Sequence, residues 1–238
     1  MAMWNPWRGC RRVSEGCKYC FIHEGDKKRA IDTSKIEKSA QFDAPIKKTK
    51  NGYKMKGGQK VYVCFSSDFL IEEADPWREE CWQMIKERKD LEFIFLTKRI
   101  ERLMDVVPED WGDGYDNVTI GVSVENQTRA NQRLSLLQQL PIKHKNIICQ
   151  PLIEEVTIND YLDDVELVVA GGEYHRNARP LNYDWILKVR EEAITRNIPF
   201  EFRQCGTHFI KDGNDYNLTY RQLFSQAKKA DINWYPSK

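Results

Sequence analysis

Residues 61–99 read VYVCFSSDFLIEEADPWREECWQMIKERKDLEFIFLTKR, and this stretch decides the fold. VYVCF (61–65) is a β-branched and aromatic run of strand length, followed by the polar SSD. In DPWREECWQMIKERK (75–89), Asp75 is placed to cap a helix and Pro76 suits its first position. Glu79 and Glu80 suit its first turn. Trp77, Cys81, Met84 and Ile85 fall on one helical face. EFIFL (92–96) is a second strand. Two such strands joined by an amphipathic helix make a βαβ unit, in which the strands run parallel.

The alternation continues outward. TKRIERLMDVV (97–107) predicts a short helix ended by Pro108, and NVTIGVSV (117–124) a third strand. NQTRANQRLSLLQQL (126–140) reads as a helix stopped by Pro141, NIICQ (146–150) as a strand closed by Pro151, and VELVVAG (165–171) as a fifth strand. NYDWILKVREEAITRN (182–197) is a helix with Asn182 as its cap, and PFEFRQ (199–204) is the last strand. A short strand near Met3–Pro6 brings the total to six or seven βα units, too few for a complete eight-stranded barrel. The expected fold is α/β: an open, partial (β/α)6-type barrel with a mostly parallel sheet. A doubly wound sheet is the competitor. In either case the loops after the carboxyl ends of the strands build the site.

Composition narrows the class. Lys plus Arg number 37 against 36 Asp plus Glu, so no global field draws the protein onto nucleic acid or lipid. The first residues carry charge and Trp where a signal peptide needs an apolar run, and no run is long enough to span a bilayer. A soluble, cytoplasmic, single-domain protein spanning 1–238 is expected. One insertion departs from the average. Residues 27–60 hold eleven Lys or Arg against Asp32, Glu37 and Asp43, and the glycine-punctuated KKTKNGYKMKGGQK (47–60) looks like a hairpin or a mobile loop. A solvated basic face and a phosphate-binding surface for nucleic acid are both compatible with it, the former being the expected one.

The seven cysteines are unevenly spread. Cys64, Cys81, Cys149 and Cys205 are solitary and read as small buried hydrophobes. Cys10, Cys17 and Cys20 form C-x6-C-x2-C, a cluster that in a cytosolic protein points to metal more than to disulfide. Three thiolates suit a [4Fe–4S] cube with one iron open to a small ligand. With His23 they also suit a closed Cys3His zinc site, which would make this a zinc-stabilised binding module. Three buried thiols are the third option, and spacing alone does not separate them.

The segment WNPWRGCRRVSEGCKYCF (4–21) resembles the cluster loop of a short, phage- and bacteria-associated branch of the radical S-adenosylmethionine superfamily. That branch has the wider spacing between its first two cysteines that is seen here. LTKR (96–99), NVTIGVSVENQ (117–127), PLIEEV (151–156), VVAGGE (168–173), ARPL (178–181) and PFEFRQCG (199–206) each resemble a block of the branch, in order. The resemblance therefore covers most of the sequence. It implies a [4Fe–4S] cluster on Cys10, Cys17 and Cys20, S-adenosylmethionine as cofactor, and Tyr19 beside the adenine. It further implies a low-potential electron donor such as flavodoxin or ferredoxin, and lyase action on queuine, breaking the C–N bond of its substituent to release 7-aminomethyl-7-deazaguanine. Modification or repair of a nucleic acid base is the alternative within the same chemistry.

Other residues take their expected roles from position. Asp68, Lys98, Ser123 and Glu125 follow strands and suit the methionyl and ribose groups of the cofactor. A structural ion pair is the plain reading of Lys98 and Glu125. Gln150 stands where the branch carries a carboxylate and is placed with them. Glu173 is the expected catalytic and substrate residue, because one carboxylate accepts both the ring N–H and the exocyclic amine of a deazaguanine. It follows Gly171–Gly172, which would let backbone approach a ligand. Tyr174 and His175 replace the branch's small residues, and Arg203 lies in RQCG, another departure at a strand end. Trp4 and Asn5 flank the thiol loop and are expected at the pocket floor, with packing and turn formation as the plain alternatives.

Overall fold

The computed structural model describes residues 2–237. Seven strands form one sheet: β1 (Ala2–Trp4), β2 (Lys60–Val63), β3 (Glu92–Thr97), β4 (Val118–Ser123), β5 (His144–Cys149), β6 (Val165–Gly171) and β7 (Phe200–Gln204). Their order in space is their order in sequence, and the sheet is all-parallel and open. A doubly wound sheet reverses strand order at a switch point. No reversal occurs here, so the fold is the partial, open α/β barrel and the doubly wound alternative falls.

The protein divides into two compact units whose segments interleave. One runs to Arg12 and takes in Ile22–Gly121 and Leu140–His144. The other holds Val13–Phe21, Val122–Gln139 and everything from Lys145 onward. In the first, Val61 pairs with Ala2 on one side and Phe93 on the other. Its core is aromatic. Phe69 stacks on Phe95 at 4.3 Å and on Trp7 at 5.3 Å, and the Trp82 edge meets both phenyl rings. Buried aromatic surface of this kind dominates a core's stability. In the second unit Val168 lies between Ile147 and Phe200. Strands covered on both faces read as continuous apolar runs, which is why Ile147–Cys149 of β5 and Leu167–Gly171 of β6 show no polar alternation.

Local chemistry moved several boundaries. β2 stops at Val63 because Cys64 takes a left-handed conformation, φ +58°. The helix Asp75–Glu87 has Ala74, not Asp75, as its N-cap. The Asp75 carboxylate is instead held by Arg78 and Arg102. Its buried face includes Arg78 and Trp82, while Trp77 is only half-buried. The helix expected over 97–107 shortens to a single turn, Ile100–Arg102, leading into Leu103–Val106. Asn182 does cap Tyr183–Thr195, its side chain accepting from Asp184 N–H.

Phe200–Gln204 is not the last strand. A hairpin follows (His208–Lys211 with Asn214–Asn217), then the helix Tyr220–Ala230. Both had readable signals. Asp212–Gly213 supplies two successive positive φ values for a tight turn, and Thr219 with Gln222 forms a capping box. No helix among the described residues is long and apolar enough to cross a membrane.

Candidate functional site

In the first unit, the thiol loop begins where Gly9 adopts φ +89°. A Cβ there would lie 2.3 Å from the Lys35 carbonyl oxygen, so the position requires glycine. Cys10 follows, half-buried, its N–H donating to Thr33 O at 2.7 Å. Asp68, just past β2, is a buried acceptor of four hydrogen bonds. Leu70 N–H (3.0 Å) and the Thr97 hydroxyl (2.8 Å) meet one oxygen, while Lys98 N–H (3.0 Å) and Arg99 Nη1 (3.0 Å) meet the other. The second Arg99 nitrogen donates to Arg11 O at 2.8 Å, beside Cys10. Burial alone would lower the Arg99 pKa, but Asp68 and the nearby Cys10 thiol reverse this, and the guanidinium is held charged.

Several expected residues of this unit have other partners. Lys98 meets Asp68 through its backbone N–H, and the cation on Asp68 is Arg99. Trp4 is 1% exposed, its indole N–H donating to Phe42 O and its ring edge against Phe93. No ring face remains for a substrate, so the pocket-floor expectation for Trp4 is replaced by packing. Asn5 is a turn residue whose Oδ1 accepts from Ser66 N–H at 3.0 Å.

The second unit carries Cys17, Tyr19 and Cys20. Cys17 is buried and its N–H closes a turn on Ser14 O at 3.0 Å, while Cys20 is half-buried. Beneath this turn Glu125 is fully buried, with Oε1 3.4 Å from Gly16 N and Oε2 paired to Arg133 at 2.8 Å. Arg133 also donates to the carbonyl of Ser123, another buried residue. Glu15, inside the loop, is paired to Arg129 at 3.0 Å. That hydrogen bond holds its carboxyl down at about 2. Glu15 and Glu125 are thus both paired to arginines.

Tyr19 stacks on the His175 ring at 4.4 Å and 9°. The His175 Nδ1 accepts from Asn177 N–H. Glu173, at the end of β6, is buried, and Arg179 grips both its oxygens. Backbone N–H and Nε donate to Oε2, each at 3.0 Å, and Nη2 reaches Oε1. Nη2 also donates to Glu15 O at 2.9 Å, tying the Glu173 carboxylate to the thiol loop. Arg179 is thus the residue that links the two.

Gly171 and Gly172 serve strand packing more than ligand approach. A Cβ on Gly172 would lie 2.8 Å from Cys205 O, and one on Gly171 3.0 Å from the Gln150 side chain. Gln150 therefore packs on Gly171. Tyr174 is exposed, its ring beside Tyr220, and Arg203 pairs with Glu201 at 3.2 Å.

The remaining thiols are core. Burial pushes Cys64, Cys81 and Cys149 far up and Cys205 up to about 12. Among the described residues no three His, Cys, Asp or Glu side chains stand close enough together to hold a metal ion. The donors of the loop nevertheless fit an iron–sulfur cluster in kind and number. They are three thiols within eleven residues, with the loop carboxylate Glu15 paired to Arg129.

Arg99, Arg129, Arg133 and Arg179 escape the sequence reading. One signal was present: Arg133 shares the apolar face of its helix with Ala130, Leu134 and Leu137, and a cation there demands a buried acid. A family model described as "Protein of unknown function (DUF5131)" matches residues 1–232. No curated protein and no solved structure matches the sequence.

Proposed function

We propose that this protein, which belongs to the DUF5131 family, is a radical S-adenosylmethionine enzyme that acts as a queuine lyase, releasing 7-aminomethyl-7-deazaguanine. The observation that carries the reading is the contrast among the thiols. Cys10, Cys17 and Cys20 share one loop, in which Glu15 is paired to Arg129, whereas the other four cysteines are solitary in the sequence and buried. The resemblance of 4–21 and of the blocks to residue 206 supports the same chemistry.

Cys10, Cys17 and Cys20 would hold a [4Fe–4S] cluster, which with S-adenosylmethionine supplies one-electron hydrogen abstraction. The protein's own groups then bind and orient. Tyr19 offers a ring for the adenine. Asp68 and Arg99 fix the backbone at Arg11, and Glu125 with Arg133 supports the turn at Gly16. Glu173 receives the ring N–H and amine of the base. Arg179 orients it without exhausting it, since each carboxylate oxygen has two lone pairs. Orientation is the protein's main contribution, because a radical attacks the nearest carbon. A low-potential donor such as flavodoxin or ferredoxin delivers the electron.

Anaerobic reconstitution with iron and sulfide tests the class, and wild type is expected to take up about four irons per molecule with visible absorption. Cys17→Ala protein should fail to do so. A colourless wild-type protein holding one zinc would overturn the radical reading. Incubation with S-adenosylmethionine, a reductant and queuine should yield 5′-deoxyadenosine in step with 7-aminomethyl-7-deazaguanine. Cofactor cleavage with queuine intact would remove the lyase assignment alone.

A further inference from the structure

Of the two expectations for 47–60, a hairpin or a mobile loop, the structure shows a hairpin in its first part, and it is braced. Lys48 pairs with Tyr53 and Thr49 with Gly52, leaving Lys50 and Asn51 at the tip. Gly52 takes φ +92°, with nothing within 4 Å of where a Cβ would stand, so the tip meets open space. The legs are locked at the base by Lys54 N–H on Lys47 O at 2.8 Å. Below that, Arg88 joins them. Its side chain is completely buried, it donates to Pro45 O on one leg and to Met55 O (2.7 Å) on the other, and its guanidinium lies 4.1 Å from the Tyr53 ring centre. A buried arginine holding two backbone carbonyls and a ring makes this ribbon a fixed feature.

What it displays is positive charge. Lys47, Lys48, Lys50, Lys54 and Lys56 are exposed, and among the described residues none has a carboxylate at ion-pair distance. No acid occurs between 44 and 67 in the sequence. The carboxylates at the foot are already engaged: Asp90 by Arg88, and Glu87 by the Tyr53 hydroxyl. Five lysines on both legs of a narrow ribbon repel one another, and among the described residues no carboxylate pairs with them to relieve this.

We propose that this hairpin is a docking element for the sugar–phosphate backbone of double-stranded DNA. A two-stranded ribbon fits the major groove of B-form DNA, about 12 Å wide, with phosphates along both walls. The major groove of an RNA duplex is too narrow to admit it. Lysine binds phosphate as a point charge, and the contact proposed is to the backbone and independent of sequence. The inference stands apart from the thiol-loop chemistry.

The test is fluorescence anisotropy of the full-length protein with a labelled DNA duplex, without cofactor, so that its failure leaves the proposed chemistry untouched. Five neutralised phosphates give a slope of log K against log salt of about −4.5, or roughly a 500-fold loss of affinity from 50 to 200 mM salt. Replacing all five lysines with glutamine should bring the slope close to zero. Replacing all five with arginine should restore it, which separates charge from any change in folding. Three results would overturn the proposal: no binding at 50 mM salt, a glutamine variant that binds with the wild-type slope, or an RNA duplex bound as tightly as DNA.

Discussion

The buried pair of Glu125 and Arg133 offers the sharpest test of how the second unit is held together. Glu125 is 0% exposed, and Arg133 is its ion-pair partner, at 2.8 Å, while also donating to Ser123 O. Arg133→Met keeps much of the side-chain volume but leaves a carboxylate buried without its counter-charge. Removing one member of such a pair costs about 3–5 kcal/mol. The lost bond to Ser123 O adds about 1 kcal/mol. At roughly 2–4 °C per kcal/mol for a protein of this size, the melting temperature should fall by about 12 °C. The double variant Glu125→Gln/Arg133→Met removes the stranded charge and should recover at least half of that loss. Thermal and urea unfolding of the cluster-free protein would measure all three proteins. If Arg133→Met lies within about 1 kcal/mol of wild type, or the double variant is no better than the single, the pair does not stabilise the unit as argued.

The other predictions concern thiols, a second buried ion pair and pH. In cluster-free native protein at pH 8, iodoacetamide should label Cys10 and Cys20 quickly and Cys17 slowly. It should reach Cys64, Cys81, Cys149 and Cys205 only after unfolding, because burial raises those thiols far above the labelling pH. Peptide mass spectrometry reads this, and native-state labelling of Cys149 at the rate of Cys10 would contradict it. Asp68→Asn should cost about 3 kcal/mol, since Arg99 then keeps a buried charge with no anion. A urea midpoint unchanged from wild type would refute that. For Asp75, burial raises the carboxyl, but Arg102 and Arg78 outweigh it and hold the group below its ordinary 3.8. A depressed folded pKa stabilises above 3.8 and is lost as pH falls through the folded value. The melting-temperature gap between wild type and Asp75→Asn should therefore be full at pH 7 and close below pH 3.8, and a gap independent of pH would refute the pairing.

Some of this molecule is legible in single residues and their spacing. Apolar runs of strand length alternating with helical faces specify parallel βα units, because burial on both sides demands continuous hydrophobic strands. The thiol loop stands out through three soft donors within eleven positions, and the hairpin around Asn51–Gly52 through the lysines that flank it. The sequence also held signals for the last hairpin and helix, in Asp212–Gly213 and in Thr219 with Gln222, which the pattern of βα units obscured.

The choice of ionic partner belongs to the tertiary structure. Asp68 takes Arg99 rather than Lys98, though the two cations are adjacent in sequence, because strand ends and loops decide which one turns inward. Glu125 takes Arg133 across one turn and a helix, and Glu173 takes Arg179, which also reaches Glu15. Gly171 and Gly172 read as room for a ligand until the neighbouring backbone at Cys205 and the Gln150 side chain are seen to occupy it. Periodicity and donor type are local properties of a polypeptide. Which charge meets which depends on distances of a few ångströms between residues far apart in sequence, and only folding sets those distances.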